Sequence, residues 1–388
     1  MKKIKAGIIG MGFIGVTHLD SILRLGNVEV VAISDVNHAV AKQKAEHFGI
    51  EKVYADYNDL INDPEIEVIH NCTPNHLHLD INEKIIRAGK HVFSEKPLGR
   101  DSSESGQMMT TLRQHPEIVA GVNFNYRMTP LVQDMKHQIK DGEIGDIYLV
   151  HGSYLQDWLL YDTDYNWRVN SDFAGSSRCV ADIGSHWIDT AQTVLGSRIA
   201  SVCADVVTVI PVRKKPLKEV ETYVIADDAE YEEVQIDTED FAGALVKFEN
   251  GVSGIFHCGQ VCAGRKCYLN VEVNGSKASL YWNQESSDRM WKGNRSENSE
   301  LVFRNPLFMA PEVREYTYMP AGHPEGWNDA LRNNIYAFYK FIADGKRLGD
   351  DQPDFATFED GHYISRVVDA IMLSGKEKRW VDVSEIED

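Results

Sequence analysis

Ile4-Lys5-Ala6-Gly7-Ile8-Ile9-Gly10-Met11-Gly12-Phe13-Ile14-Gly15 is the stretch whose reading decides the fold. A short apolar run ends in a G-x-G-x-x-G, and helical spacing follows at once. A glycine sextet alone is a weak signal, but here it follows a strand, opens a helix and lies in a βαβ unit. Gly10 permits a tight turn, Gly12 lets a pyrophosphate approach the backbone, and Gly15 lets helix and strand pack closely. Phe13 and Ile14 lie between the last two glycines, at a helix N-terminus whose free N–H groups and partial positive charge suit phosphates. Asp35 closes the next apolar run, 20 residues after Gly15. A carboxylate there accepts hydrogen bonds from ribose hydroxyls and repels a 2′-phosphate. No arginine stands directly beside it, so NAD is expected in preference to NADP.

Outward from this stretch, the first half alternates strand and helix. Residues 28–34, 66–72, 90–94 and 118–123 repeat the short apolar run. Ala39 to Phe48 and His76 to Ala88 have helical spacing between them, the second placing Leu77, Ile81, Ile85 and Ala88 on one stripe. Such alternation implies right-handed crossovers and a doubly wound parallel sheet, with its ligand crevice at the carboxyl ends of the strands.

The second half reads differently. Residues 147–154, 199–209, 240–248, 252–258, 268–273 and 278–282 read as strands, and Asn250-Gly251 and Asn274-Gly275 each divide two of them, a hairpin signal. A large, mainly antiparallel sheet is expected, flanked by helices over 182–195, 327–343 and 358–374. The charged stretch Lys214 to Glu233 reads as a solvated loop or hairpin. The two-domain division is therefore 1–125, an NAD-binding Rossmann domain, and 126–388, a substrate-binding and oligomerisation domain of α+β type.

The chain has 388 residues with 40 Lys+Arg and 59 Asp+Glu, a net charge of −19. That acidic balance argues against a nucleic-acid surface, and no apolar run approaches the roughly 18–20 residues of a membrane span. The opening resembles a signal peptide only superficially, because Gly7, Gly10, Gly12 and Gly15 interrupt it and no small-residue cleavage site follows. Cys72, Cys179, Cys203, Cys258, Cys262 and Cys267 form no Cys-x-x-Cys pair, and the last three fall in segments that read as strands. Reduced cysteines in a cytoplasmic protein without a metal site are the expectation.

Chemistry concentrates in three segments. Thr73-Pro74-Asn75-His76-Leu77-His78 and Glu95-Lys96-Pro97 each follow a strand where its end faces the crevice. The Lys96 ammonium can anchor a substrate oxygen. In the second domain, Asp182-Ile183-Gly184-Ser185-His186 spaces a carboxylate and an imidazole four apart, on one helical face, with Asp189 roughly joining it. An imidazole beside a carboxylate suits a general base; by itself the pair equally suits a helix cap and its partner.

In this order, the glycine fingerprint, Thr73-Pro74-Asn75 with His78, Glu95-Lys96-Pro97, and Asp182-x-Gly184-x-His186 resemble the Gfo/Idh/MocA oxidoreductases. The similarity runs over nearly the whole chain. It implies a Rossmann domain and a second domain whose open sheet builds homodimers or homotetramers. Lys96 would be the catalytic lysine that holds and polarises the oxygen, and His186 would take the hydroxyl proton. Asp182 would orient the imidazole or bind a neighbouring hydroxyl. Members with similar motifs mostly oxidise secondary alcohols of sugars and inositols, so a sugar, anhydrosugar or cyclitol substrate is implied. Asn75 and His78 are expected at the nicotinamide end of the cofactor and Glu95 at its ribose, with a structural role in the strand–helix turn as the open alternative. Asn123, Asn125 and Arg127 leave the last parallel strand at the domain junction, where they could touch either ligand. Trp158, Trp167 and Arg168 offer the flat apolar faces and bidentate polar groups that a sugar ring needs, and the two tryptophans could as readily be packing residues. His323 and Trp327, in a segment like one of a sugar-oxidising branch of the family, could complete the pocket. Two other readings share this scaffold: a redox-neutral glycoside-cleaving enzyme with tightly held NAD, and a non-catalytic NAD- or sugar-binding regulator.

Overall fold

The computed structural model of the chain describes residues 3–217 and 230–387. In β1 (Ile4–Ile9) the last four residues are all buried, as in a parallel strand covered on both faces. The chain continues through α1 (Phe13–Leu23), β2 (Val28–Ser34), α2 (His38–Phe48), β3 (Lys52–Tyr54), α3 (Tyr57–Asn62), β4 (Val68–Asn71), α4 (His78–Arg87), β5 (His91–Ser94), α5 (Ser102–Arg113) and β6 (Ala120–Val122). These six strands lie in the order β3-β2-β1-β4-β5-β6, all parallel. The order reverses between β1 and β4, which opens the crevice at their carboxyl ends. Only β3 escapes the sequence pattern; at three residues it is too short for a pattern to show.

At that crevice Gly10 has φ of +89°, open to glycine at no steric cost. A Cβ on Gly15 would lie 1.9 Å from the Gly10 carbonyl oxygen, whereas one on Gly12 would meet nothing within 4 Å. Gly15 is therefore required by the protein itself, and Gly12 borders open space.

Beyond the junction come α6 (Pro130–Lys140), β7 (Ile147–Leu155), α7 (Ser171–Ala174), α8 (Ser185–Leu195), β8 (Ile199–Val207), β9 (Val212–Pro216), β10 (Tyr231–Gln235), β11 (Phe241–Phe248), β12 (Ser253–Gly259), β13 (Tyr268–Gly275), β14 (Ala278–Asn283), β15 (Arg289–Asn294) and β16 (Glu300–Phe303). Then follow α9 (Pro311–Arg314), α10 (Trp327–Ala343), α11 (Phe358–Glu377) and β17 (Val381–Asp382). Nine strands form one sheet in the order β16-β15-β14-β13-β7-β12-β11-β8-β17. All its pairs are antiparallel except β7/β12. Helices cover one face: Trp187 of α8 stacks on Phe256 of β12 with ring centroids 4.6 Å apart. Within the charged stretch, β9 and β10 pair as an antiparallel hairpin, Lys214 opposite Glu233; residues 218–229 lie outside the described residues.

Two expectations need correction. Asn274-Gly275 ends β13 and does not form the turn; a Cβ on Gly275 would lie 2.2 Å from the Ile144 carbonyl oxygen, so this glycine serves close packing. Cys258 lies in β12, but Cys262 and Cys267 lie in the loop before β13; all six cysteines are free. Packing also crosses the division between 1–125 and 126–388. Leu331, Ile335, Phe338 and Tyr339 of α10 share a core with Ile8, Leu19, Ile22 and Phe93, and the Phe93 and Phe338 rings stand 5.0 Å apart. A helix from the last quarter of the chain thus closes the first sheet's core.

Gly15→Ala is expected to lower the unfolding free energy by about 1–3 kcal/mol through overpacking, while Gly12→Ala leaves it within about 0.5 kcal/mol. Chemical denaturation of the two variants measures both.

Candidate active site

Lys96 follows β5, in a turn whose Lys96-Pro97 peptide bond is cis. Its ammonium reaches across the domain junction and donates to the Asp182 carbonyl oxygen and to Oδ1, each at 2.9 Å. Asp182 Oδ2 accepts from Gln260 Nε2 at 2.8 Å, and Arg168 Nε lies 3.6 Å from Oδ1. Burial by itself would raise the Asp182 pKa, but the Lys96 and Arg168 charges and the Lys96 hydrogen bond hold it well below the ordinary carboxylate range. Asp182 is therefore an ionised partner for a charged lysine.

The imidazole of His186 is held by rings. Tyr126 and Phe124 meet it edge-on at 4.8 and 5.6 Å, and Tyr154 lies 6.0 Å away. Its Nδ1 is buried and without a hydrogen-bond partner among the described residues, which leaves Nε2 as the accessible nitrogen. Burial and then the Lys96 charge push its pKa well below the ordinary histidine value, against Asp182 and Glu95. The ring is neutral, the form a base requires.

Asp182 does not orient this imidazole; no hydrogen bond joins them. Val180–Gly184 is a π-helical turn ahead of α8. The wider turn breaks the four-residue repeat that a regular helix would impose. Asp189 is likewise elsewhere: it pairs with Arg127, whose Nε lies 3.1 Å from both carboxylate oxygens, and Arg127 Nη1 lies 3.5 Å from Asp360 Oδ2. Arg127, expected to touch a ligand, is thus bound into a buried ion pair between α8 and the segment after β6. His78 also leaves the ligand set. It is fully buried, with Nδ1 and Nε2 each 2.8 Å from a carbonyl oxygen, of Pro97 and Thr73. It braces the two crevice turns against one another.

The crevice itself fits a dinucleotide. Asp35 Oδ2 accepts from Met11 N–H at 2.6 Å and Oδ1 from Asn37 N–H at 2.8 Å, leaving lone pairs for ribose hydroxyls at the end of β2. Lys44 donates to the Met11 carbonyl oxygen from α2. Phe13 is 70% exposed and stacks on Trp327, the first residue of α10, at 6.1 Å. With the open space beside Gly12 and the free N-terminus of α1, these groups suit NAD. Thr73 Oγ1 donates to Asn71, Asn75 reaches the Ala174 carbonyl, and Glu95 is buried behind Lys96. On the substrate side, the Arg168 guanidinium stacks over Trp167 at 4.4 Å and so stands between that ring and Asp182. Trp158 donates to Gln156 and packs with Leu159 and Val169. The His323 side chain is exposed, and its carbonyl accepts from Arg304. Asn125 is buried. Gln260, Tyr126 and Tyr154 carry no sequence motif, and only the folded sheet reveals their place at the site.

Residues 4–124 match the oxidoreductase family with the NAD-binding Rossmann fold, and residues 132–281 match the GFO/IDH/MocA C-terminal domain. Levoglucosan dehydrogenase of Pseudarthrobacter phenanthrenivorans is 30% identical over 397 residues, covering 100% of both chains. The chain belongs to the Gfo/Idh/MocA family. It is an NAD-binding oxidoreductase. Within the family, a solved levoglucosan dehydrogenase in complex with NADH and levoglucosan superposes with a TM-score of 0.87 at 29% identity, covering 98% of this chain and 100% of that one. Myo-inositol 2-dehydrogenase of Thermotoga maritima is 23% identical, over 99% of each chain.

The depressed His186 pKa sets a pH expectation. A base whose pKa is lowered stays unprotonated further into acid, so activity is lost only below the ordinary histidine value. The acid limb of kcat against pH should lie below about 6.5, the unperturbed value, and initial rates from pH 4.5 to 8 would show it.

Proposed function

We propose that this chain oxidises a secondary ring hydroxyl of a sugar, anhydrosugar or inositol to the ketone, with NAD as acceptor. The observation that carries the reading is the meeting of a charged Lys96, held by ionised Asp182, with a neutral His186 at the crevice between the two domains. NAD, once bound, supplies the acceptor for the hydrogen that leaves carbon with its electron pair. Lys96 holds the reacting oxygen and stabilises the negative charge it gathers. His186 takes the hydroxyl proton at Nε2, with its other proton on Nδ1 inside the aromatic packing. Asp182 and Gln260 keep the ammonium in place. Trp167 and Arg168 supply a flat face and a fork of donors suited to a pyranose ring, which agrees with the levoglucosan and inositol relatives.

Lys96→Met and His186→Asn should each lower kcat by about 10²-fold or more, with NADH affinity changed by less than about threefold by fluorescence titration. The assay is NAD reduction against a panel of pyranoses, levoglucosan, glycosides and inositols. Full activity in His186→Asn would remove the base assignment, and turnover with none of the panel would remove the substrate class.

We infer also a homodimer or homotetramer built on the open face of the nine-stranded sheet. Leu245, Ile255, Trp291 and Leu301 lie along that face and are 47%, 51%, 38% and 52% exposed. They form two apolar pairs, Leu245 with Ile255 and Trp291 with Leu301, separated across the sheet by His151, Glu272 and Tyr281, and exposed apolar groups of this kind mark an interaction surface. Light scattering should give a multiple of 43.8 kDa for the native chain and a smaller mass for Ile255→Glu. No helix among the described residues is long and apolar enough to cross a membrane. Six free cysteines accord with a reducing, cytoplasmic setting.

A further inference from the structure

Beneath the Glu95-Lys96 turn lies a row of buried polar groups that the proposed chemistry does not use. Tyr339 Oη, from α10, lies 2.8 Å from His70 Nε2 on β4. His70 Nδ1 lies 2.9 Å from His18 Nδ1 on α1, and His18 Nε2 lies 2.9 Å from Glu95 Oε1. Glu95 Oε2 accepts the Lys96 N–H at 3.2 Å. A second limb reaches the same carboxylate: Asn334 Nδ2 donates to Asn123 Oδ1 at 3.1 Å, and Asn123 Nδ2 donates to Glu95 Oε1 at 2.6 Å. His18, His70, Tyr339 and Asn334 are fully buried.

Proton inventory gives the row a single direction. The buried Tyr339 hydroxyl has His70 Nε2 as its one hydrogen-bond partner among the described residues, so its proton points there. His70 must then carry its own proton on Nδ1 and donate it to His18. Burial pushes the His70 pKa far down, which keeps that ring neutral. His18 Nδ1 is therefore an acceptor, and its proton sits on Nε2, facing a carboxylate that can only accept. Burial opposes the charge on Glu95, yet the His18 hydrogen bond, with the Lys96 charge and the Asn123 amide, brings its pKa down to about 2. The row ends at a buried tyrosine, so it delivers no proton to solvent; what remains for it is orientation.

We propose that His18, His70 and Tyr339 are positioning residues, a one-way hydrogen-bond relay that aims the Glu95 carboxylate and thereby holds the backbone of Lys96 at the crevice. The proposal rests on Lys96 being the catalytic lysine. Both limbs begin on α10, whose first residue, Trp327, stacks on Phe13 at the crevice edge. Glu95 is thus tied to the same helix that borders the ligand.

Neutron diffraction from crystals of the intact protein tests the direction without any substrate. Protons on His18 Nε2 and His70 Nδ1 are expected, and a proton on His70 Nε2 would overturn the relay. Kinetics test the role, with levoglucosan as hydrogen donor if it is turned over and otherwise the panel compound with the fastest NAD reduction. His18→Gln keeps one donor and one acceptor; His18→Leu keeps neither. The leucine variant should lose about tenfold or more in kcat, the cost of a small misplacement, at nearly unchanged KM, and the glutamine variant should regain most of it. Equal kcat in the two variants would refute positioning, since a merely structural histidine gives no such rescue. Should His18→Leu not fold, Tyr339→Phe decides, by a loss of about threefold in kcat or by full activity, which overturns the proposal. Lys96→Met runs in parallel: if it turns over normally, the reading of the active site fails, while the neutron result still judges the relay.

Discussion

The ion pair between Lys96 and Asp182 is the contact on which the rest of the site depends. One partner lies in the turn after a strand of the parallel sheet, and the other in the π-helical turn ahead of the helix that packs on the antiparallel sheet. Removing either would leave a charge at the domain junction with too few partners, and an uncompensated buried charge costs far more than the pair itself contributes. The surroundings fit that constraint. Gln260 and Arg168 complete the carboxylate, and Lys96 also binds the Asp182 carbonyl, so position and charge are fixed together. A second buried pair, Arg127 with Asp189, ties the same junction about two turns further along the chain, on α8. The neutral imidazole stands between these two ionic clamps, in a wall of aromatic rings that attracts no proton.

Much of this was legible in the residues. The glycine turn, the carboxylate closing the second strand and the alternation of strand and helix all rest on short-range rules, and short-range rules operate along the chain. Lys96, Asp182 and His186 were marked by spacing and by family resemblance, and the fold brings them to one crevice. What escaped was set by long-range packing. A π-helical turn looks like an α-helix in sequence, yet it separates Asp182 from His186. Arg127 and His78 have the polarity of ligands, but their partners, Asp189 and two carbonyl oxygens, come from elements whose approach no pattern announces. Gln260 is one amide at the end of a strand, and only its distance to Asp182 gives it meaning.

Glycine shows the same limit in miniature. Gly15 and Gly275 would both clash with a backbone carbonyl if they carried a side chain. The first lies in a motif that announces a close approach. The second lies in an Asn-Gly pair, which signals a turn. The physical cause is alike in the two places, and the sequence context alone made one visible.

The return of α10 to the parallel sheet has a consequence for synthesis of the chain. The last strand of that sheet ends at Val122, but the helix that covers Phe93 and Leu19 begins at Trp327. About 200 residues must leave the ribosome in between, roughly 10–40 s at typical elongation rates. Through that interval the nucleotide-binding half carries a bare apolar flank. It reaches its final form only when the far end of the polypeptide arrives, so a nascent chain halted early would be a client for chaperones.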